Sequence, residues 1–212
     1  MQTSRLKKNA FVWAHRGASA IAPENSMAAF QLAEAAGADG IELDVHLSRD
    51  GLPVVIHDES VDRTTSGSGR VAEMTAGELL NLDAGSWFSD EFIDEQIPLL
   101  TEVLAWAGDR IRLNIEIKTE KAGQAVLDAL KDFPQVRPLL SSFNHKLLFR
   151  LRQTDSEIAI GFLSDSRFWR VAARRAAACA AESFHPPQKH VTRAMVNWCH
   201  RNHLAVYPWT VD

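Results

Sequence analysis

The run IELDVHLSRDGLPVVIHD, residues 41–58, reads as two strands joined by a tight turn, and one of its faces is acidic. Ile41, Leu43 and Val45 point one way and Glu42, Asp44 and His46 the other, the period-2 alternation of a strand. Carboxylates two residues apart on one face stand ~6–7 Å apart along the strand. Buried, ionised and unpaired, they would be costly. A hard divalent cation offsets that cost, because Mg²⁺ and Ca²⁺ take oxygen ligands. The stretch 113–118 repeats the arrangement, with Asn114, Glu116 and Lys118 on one face and Leu113, Ile115 and Ile117 on the other. Glu116 is then a third oxygen ligand and Lys118 a nearby cation. If the chain folds back through the turn RDGL, His57 returns to the level of the carboxylates, roughly opposite Asp44. His15 lies near the C-terminal end of an earlier strand, where active sites of α/β barrels collect, and Arg16 follows it. This set suits cleavage of a phosphate ester. Metal and cations hold the phosphoryl oxygens while two imidazoles exchange protons with the attacking and leaving oxygens.

The elements that must position these groups alternate along the chain. Apolar strand patterns begin near Phe11, Gly40, Arg112, Val136, Ile158, Glu182 and Leu204. Helical patterns fall between them, as in ENSMAAFQLAEAAG with its stopping Gly37, KAGQAVLDALKDF, a helix from Asn144, another around residues 168–181, and VTRAMVNWCHRNH. Strands and helices taking turns imply a parallel sheet with helices outside, either doubly wound or a (β/α) barrel. Residues 59–96 break the rhythm. They are rich in Gly, Ser, Thr, Asp and Glu around isolated Trp87 and Phe88, and read as an insertion over one face.

Bulk properties narrow the function classes. The 212 residues are enough for one domain with a sizeable core, and 46% hydrophobic and 24% charged residues are ordinary for a globular protein. A net charge of −4 gives no reason to expect nucleic-acid binding. The basic start MQTSRLKKNAFVWAHRG lacks the apolar stretch of a secretory signal, and no run approaches the ~20 residues of a membrane span. Cys179 and Cys199 read as reduced packing residues, so a cytoplasmic location is expected.

Seven short motifs occur in order: HRG at 15–17, PEN at 23–25, IELDV at 41–45, DGLPVVIHD at 50–58, DRTT at 62–65, IEIK at 115–118 and WTV at 209–211. In that order and spacing the chain resembles the glycerophosphodiester phosphodiesterase family over nearly its whole length. The resemblance implies an α/β fold, a (β/α) TIM-type barrel of phosphodiesterase type, with an insertion after the second strand. It implies metal-dependent hydrolysis of glycerophosphodiesters to sn-glycerol 3-phosphate and an alcohol. Position by position it implies His15 and His57 as general base and acid, and Glu42, Asp44 and Glu116 as ligands of one divalent cation. That cation would be Mg²⁺ or Ca²⁺, with Mn²⁺ also accommodated. Arg16 and Lys118 would contact phosphate, and Trp209 would pack against the glycerol end. By analogy with related phosphodiesterases, the substrate's own 2-hydroxyl would attack first, giving a cyclic phosphate that water opens. After WTV the family pattern continues with Asn, a helix and a final strand, whereas here Asp212 follows Val211. Seven parallel strands against the eight of a closed barrel lead to the expectation that residues 1–212 form a single barrel lacking its final βα unit. Its exposed edge strands would favour self-association.

Other readings of the same residues stand beside these. The three carboxylates could form a buried ion-pair network with Arg16 and Lys118. Trp209 could be an apolar plug at the barrel mouth. His46, His145, His190, His200 and His203 read as structural, and His185 as a candidate for the pocket wall. Arg167, Arg170, Arg174 and Arg175 read as a solvated helix face. A non-catalytic or weakly active barrel that keeps the metal and phosphate site is the alternative to an enzyme.

Overall fold

Among the described residues seven strands pair in parallel, each with the next of them along the chain, and the helices between them cover the outer face. The computed structural model describes residues 10–211, so the basic residues 1–9 and Asp212 lie outside it. The elements are β1 (Trp13–His15), α1 (Met27–Ala35), β2 (Gly40–Leu47), β3 (Pro53–Val55), α2 (Ala76–Leu80), α3 (Leu100–Ala107), β4 (Arg112–Ile117), α4 (Ala122–Lys131), β5 (Pro138–Ser142), α5 (His145–Thr154), β6 (Ala159–Leu163), α6 (Trp169–Ala178), β7 (Ser183–His185), α7 (Arg193–Arg201) and β8 (Ala205–Val206). The parallel path runs β1-β2-β4-β5-β6-β7-β8, and β3 pairs only with β2. Among the described residues β1 and β8 do not pair with each other, so the path is open.

Local sequence sets the helix ends. Ser26 Oγ accepts from the Ala29 N–H at 3.1 Å and starts α1, Asn144 Oδ1 does the same for Leu147 in α5, and Thr192 Oγ1 for Met195 in α7. Gly37, at φ +83, follows the end of α1. The reading from sequence did not include α3, whose buried Leu100, Val103, Leu104 and Ala107 join the main hydrophobic core. β1 starts at Trp13, two residues after the apolar pattern begins at Phe11.

The alternation of the strands divides the molecule into two chemically different interiors. Ile41, Leu43, Val45, Leu113, Ile115, Ile117, Ile160, Phe162 and Phe184 face the helices and are buried. Each such side chain contributes roughly 1.5–3 kcal/mol, so this outer layer stabilises the fold and the inner face is left for polar groups. A second, smaller cluster of Val54, Ile56, Val61, Val71, Leu79, Ala84 and Ile97 anchors the segment between β3 and α3.

At the floor of the sheet Trp13 lies over Gly40, where a Cβ would stand 2.4 Å from its ring. Tyr207 meets Trp13 edge to face at 5.7 Å, which brings the two ends of the open path together without hydrogen-bonded strands. Arg112 stacks over Phe11 and Trp13 and donates to both oxygens of Glu182 at 3.0 and 3.2 Å. Cys179 and Cys199 are free and buried, as expected, and the four arginines around α6 are exposed. Among the described residues no helix is long and apolar enough to cross a membrane.

Candidate active site

The register of β1, β2 and β4 assembles the acidic face. His15 stands opposite Glu42, Glu42 opposite Asn114, and Asp44 opposite Glu116. Glu42, Asp44 and Glu116 are all buried, and each offers one oxygen within 4.8 Å of the others. The structure brings these three side chains together on one face, with Lys118, Arg16 and His15 beside them. Lys118 Nζ donates to Glu116 Oε1 at 2.6 Å and sits 2.8 Å from Asp44 Oδ1. Arg16 Nε lies 3.3 Å from Asp44 Oδ2, and His15 Nε2 is 4.0 Å from Glu42 Oε2.

The loop after β1 is shaped for this contact. Arg16 adopts φ 57, a left-handed conformation uncommon outside glycine, and its N–H turns onto Glu42, meeting the backbone O at 2.9 Å and Oε2 at 3.1 Å. Gly17 follows at φ +81, and a Cβ there would meet the Ala29 backbone at 2.7 Å, so the HRG triplet closes onto α1 only with glycine. Asn25, also left-handed at φ 58, donates its backbone N–H to Arg16 O at 3.0 Å.

Electrostatics separate the three carboxylates. Burial, with repulsion from Asp44 and Glu116, raises the Glu42 pKa well above its ordinary value. Burial likewise raises Glu116 despite Lys118 beside it. For Asp44 burial acts in the same direction but is outweighed by Lys118 and Arg16, so it stays low. Burial works against the Lys118 charge too, and Asp44 and Glu116 overcome it. If all three ionise, three carboxylates facing Lys118 and Arg16 leave residual negative charge on a buried face. Asn114 Oδ1, opposite Glu42 in the register, is buried there without a hydrogen-bond partner among the described residues. Oxygens sharing one ion at about 2.4 Å are at most about 4.8 Å apart, so an all-oxygen set of this size and charge fits a hard divalent cation.

His57 is reached differently from the expectation. The hairpin pairs Val45 with Val55 and Leu47 with Pro53, which sets Asp44 opposite Ile56 rather than His57. Ser48 causes the one-residue shift. Its N–H donates to Leu52 O at 3.0 Å and its Oγ accepts from Leu52 N–H at 2.9 Å, closing a longer turn with Gly51 at φ +86. His57 thus lies beyond the paired strand. Its Nδ1 is 2.6 Å from Asp58 Oδ1, and Arg63 from the following loop donates to Asp58 Oδ2 at 2.6 Å. Arg63 also holds both oxygens of Glu24, at 2.9 and 2.8 Å, and Glu24 in turn holds Arg16 at 2.9 Å. Glu24, Asn25, Asp58 and Arg63 were given no individual role from sequence, although PEN, IHD and DRTT contain them.

Trp209 makes its contacts at the β7–β8 end of the sheet. It follows β8, donates Nε1–H to His185 O at 3.0 Å, meets Phe143 edge to face, and lines a cavity of about 300 Å³ with Asp165, Pro187, Gln188, Lys189 and Thr210. His185 is instead enclosed within the sheet, 2.7 Å from Ser183 Oγ and against the Tyr207 ring.

Residues 15–212 match the model of the glycerophosphoryl diester phosphodiesterase family. The chain is 41% identical over 211 residues to the glycerophosphodiester phosphodiesterase of Caldanaerobacter subterraneus subsp. tengcongensis, a match covering 95% of this chain and 85% of the relative. An Oleispira antarctica phosphodiesterase solved in complex with the product sn-glycerol-3-phosphate is similar at a TM-score of 0.88 and 33% identity, over 96% of this chain and 85% of that one. The Thermotoga maritima glycerophosphodiester phosphodiesterase is similar at 0.79 and 31%, over 95% and 86%. The chain belongs to the glycerophosphoryl diester phosphodiesterase family.

Proposed function

We propose that this chain hydrolyses water-soluble glycerophosphodiesters to sn-glycerol 3-phosphate and an alcohol, with one divalent cation held by Glu42, Asp44 and Glu116. The observation that carries the reading is the buried carboxylate triad, with Lys118 and Arg16 at one side and His15 at another. When bound, the cation supplies charge stabilisation to the phosphoryl oxygens. Arg16 and Lys118 add positive charge at the same place and orient the diester.

Burial and the neighbouring Arg16 lower the pKa of His15, which keeps the ring neutral and able to accept a proton. His15 therefore takes the proton of the attacking hydroxyl, which we assign to the substrate's own 2-hydroxyl. As the new P–O bond forms and the bond to the alcohol breaks, His57 gives a proton to the departing oxygen. Water then opens the cyclic phosphate, with His57 taking its proton and His15 returning one to the 2-hydroxyl. Trp209 packs against the glycerol carbons. Residues 59–96 form an insertion over the mouth of a single (β/α) barrel domain.

The test of the activity is product identity. Incubation with sn-glycero-3-phosphocholine in the presence of Mg²⁺ or Ca²⁺ should yield choline and glycerol 3-phosphate. Phosphocholine and glycerol, or no turnover with any divalent cation, would overturn the assignment.

A further inference from the structure

We propose that Arg63 is a positioning residue that joins the two halves of the site, holding the His57 ring through Asp58 and the Arg16 guanidinium through Glu24. The proposal rests on the phosphodiesterase reading above for the roles of His57 and Arg16. The coupling itself rests on geometry.

Arg63 comes from the segment between β3 and α3 and directs each of its three nitrogens to one of two carboxylates. Nε meets Asp58 Oδ2 at 2.6 Å, and Nη1 and Nη2 meet the two oxygens of Glu24 at 2.9 and 2.8 Å, 39 residues away in sequence. Such paired, planar contacts fix angle as well as distance, which a lysine cannot do. On one side, the other oxygen of Asp58 faces His57 Nδ1 at 2.6 Å. Arg63 is the main reason the Asp58 carboxyl titrates at about 2. Ionised, Asp58 can only accept, so the proton in that contact sits on His57 Nδ1 and leaves Nε2 to exchange protons with substrate. On the other side, burial of Glu24 opposes its charge, but Arg63 and Arg16 outweigh it. Glu24 Oε1 accepts from both Arg63 Nη2 and Arg16 Nη1, bringing two like-charged guanidinium groups together through one carboxylate. Arg16 then reaches Asp44. A continuous chain of contacts thus runs from His57 to the acidic triad, and the insertion supplies its central link.

Arg63 is half-exposed and packs no core, so Arg63→Met should fold. Its kcat with glycerophosphocholine should fall roughly 10- to 100-fold, the usual effect of removing a group that orients a reacting one. A nitrophenyl ester needs no proton at its leaving oxygen, so its kcat should fall less than about threefold. KM should rise for both substrates, because Arg16 is loosened for both. Asp58→Asn should reproduce only the leaving-group effect and Glu24→Gln only the rise in KM, while Arg63→Lys should recover part of each. A readout independent of turnover is the His57 Nδ1–H resonance. It should be observable in the wild-type protein and lost or shifted in Arg63→Met. Unchanged kcat and KM in Arg63→Met, an equal loss of kcat on both substrates with unchanged KM, or an unaltered His57 resonance would each overturn the proposal. Failure of the wild-type protein to release glycerol 3-phosphate would instead count against the assigned reaction, and the resonance would still decide the coupling.

Discussion

Asn25 grips Asp44 at both ends: its side-chain amide donates to Oδ2 at 2.8 Å, and its side-chain oxygen accepts from the Asp44 backbone N–H at 3.2 Å. Held this way, the carboxylate keeps Oδ2 between Asn25 and Arg16 and Oδ1 beside Lys118, so its orientation within the triad is fixed. The left-handed backbone at Asn25 makes alanine a poor probe, since strain would be added to the loss of the amide. Asn25→Gly avoids that. It should reduce turnover ~10–100-fold at limiting metal and recover substantially at excess metal. A metal titration of activity checks this, and a loss that no metal concentration relieves would contradict it.

Charge removal at the triad should separate function from stability. Glu42 is buried among like charges, so Glu42→Gln should abolish turnover while the metal-free protein melts at the same temperature or slightly higher. Thermal melts with chelator, beside rates at saturating metal, give both numbers. Near-normal activity of this variant would show that β2 is not the metal face.

His15→Ala and His57→Ala should each slow glycerophosphocholine hydrolysis by roughly 10²–10⁴. A nitrophenyl ester leaves without help from an acid and should rescue only His57→Ala. Rescue of His15→Ala instead would reverse the two roles.

His185 should contribute to acid sensitivity without touching the chemistry. Burial pushes its pKa down to about 3, whereas the unfolded chain binds that proton near 6.5. Below pH 6.5 the unfolded state therefore carries the extra proton, and stability falls as pH drops toward 3, by up to about 1.4 kcal/mol per unit. His185→Gln, which can still bond Ser183, should show a shallower decline in urea unfolding between those pH values. Parallel curves for the two proteins would contradict the assignment.

What the sequence made legible follows from periodicity. Glu42, Asp44 and Glu116 could be placed on one face because a strand repeats every two residues and the apolar partners Leu43 and Ile115 mark the other face. The parallel order followed from strands and helices alternating. The position of His57 did not, because the turn at Ser48–Leu52 shifts the pairing by one residue. Arg63 and Glu24 carry no periodic signal at all. They meet across 39 residues in loops, where φ values such as those of Arg16 and Asn25 redirect the chain. Helix α3 went unread because it directly follows the irregular segment that ends near Gln96.

The most direct test of the account is turnover of glycerophosphocholine by the wild-type protein after exhaustive chelation, followed by re-addition of Mg²⁺, Ca²⁺ or Mn²⁺ in turn. Glycerol 3-phosphate release should fall to background and be restored by at least one of the three ions, while Glu116→Gln should respond to none. Full turnover in the chelated protein would contradict the central claim that Glu42, Asp44 and Glu116 act by holding a metal ion.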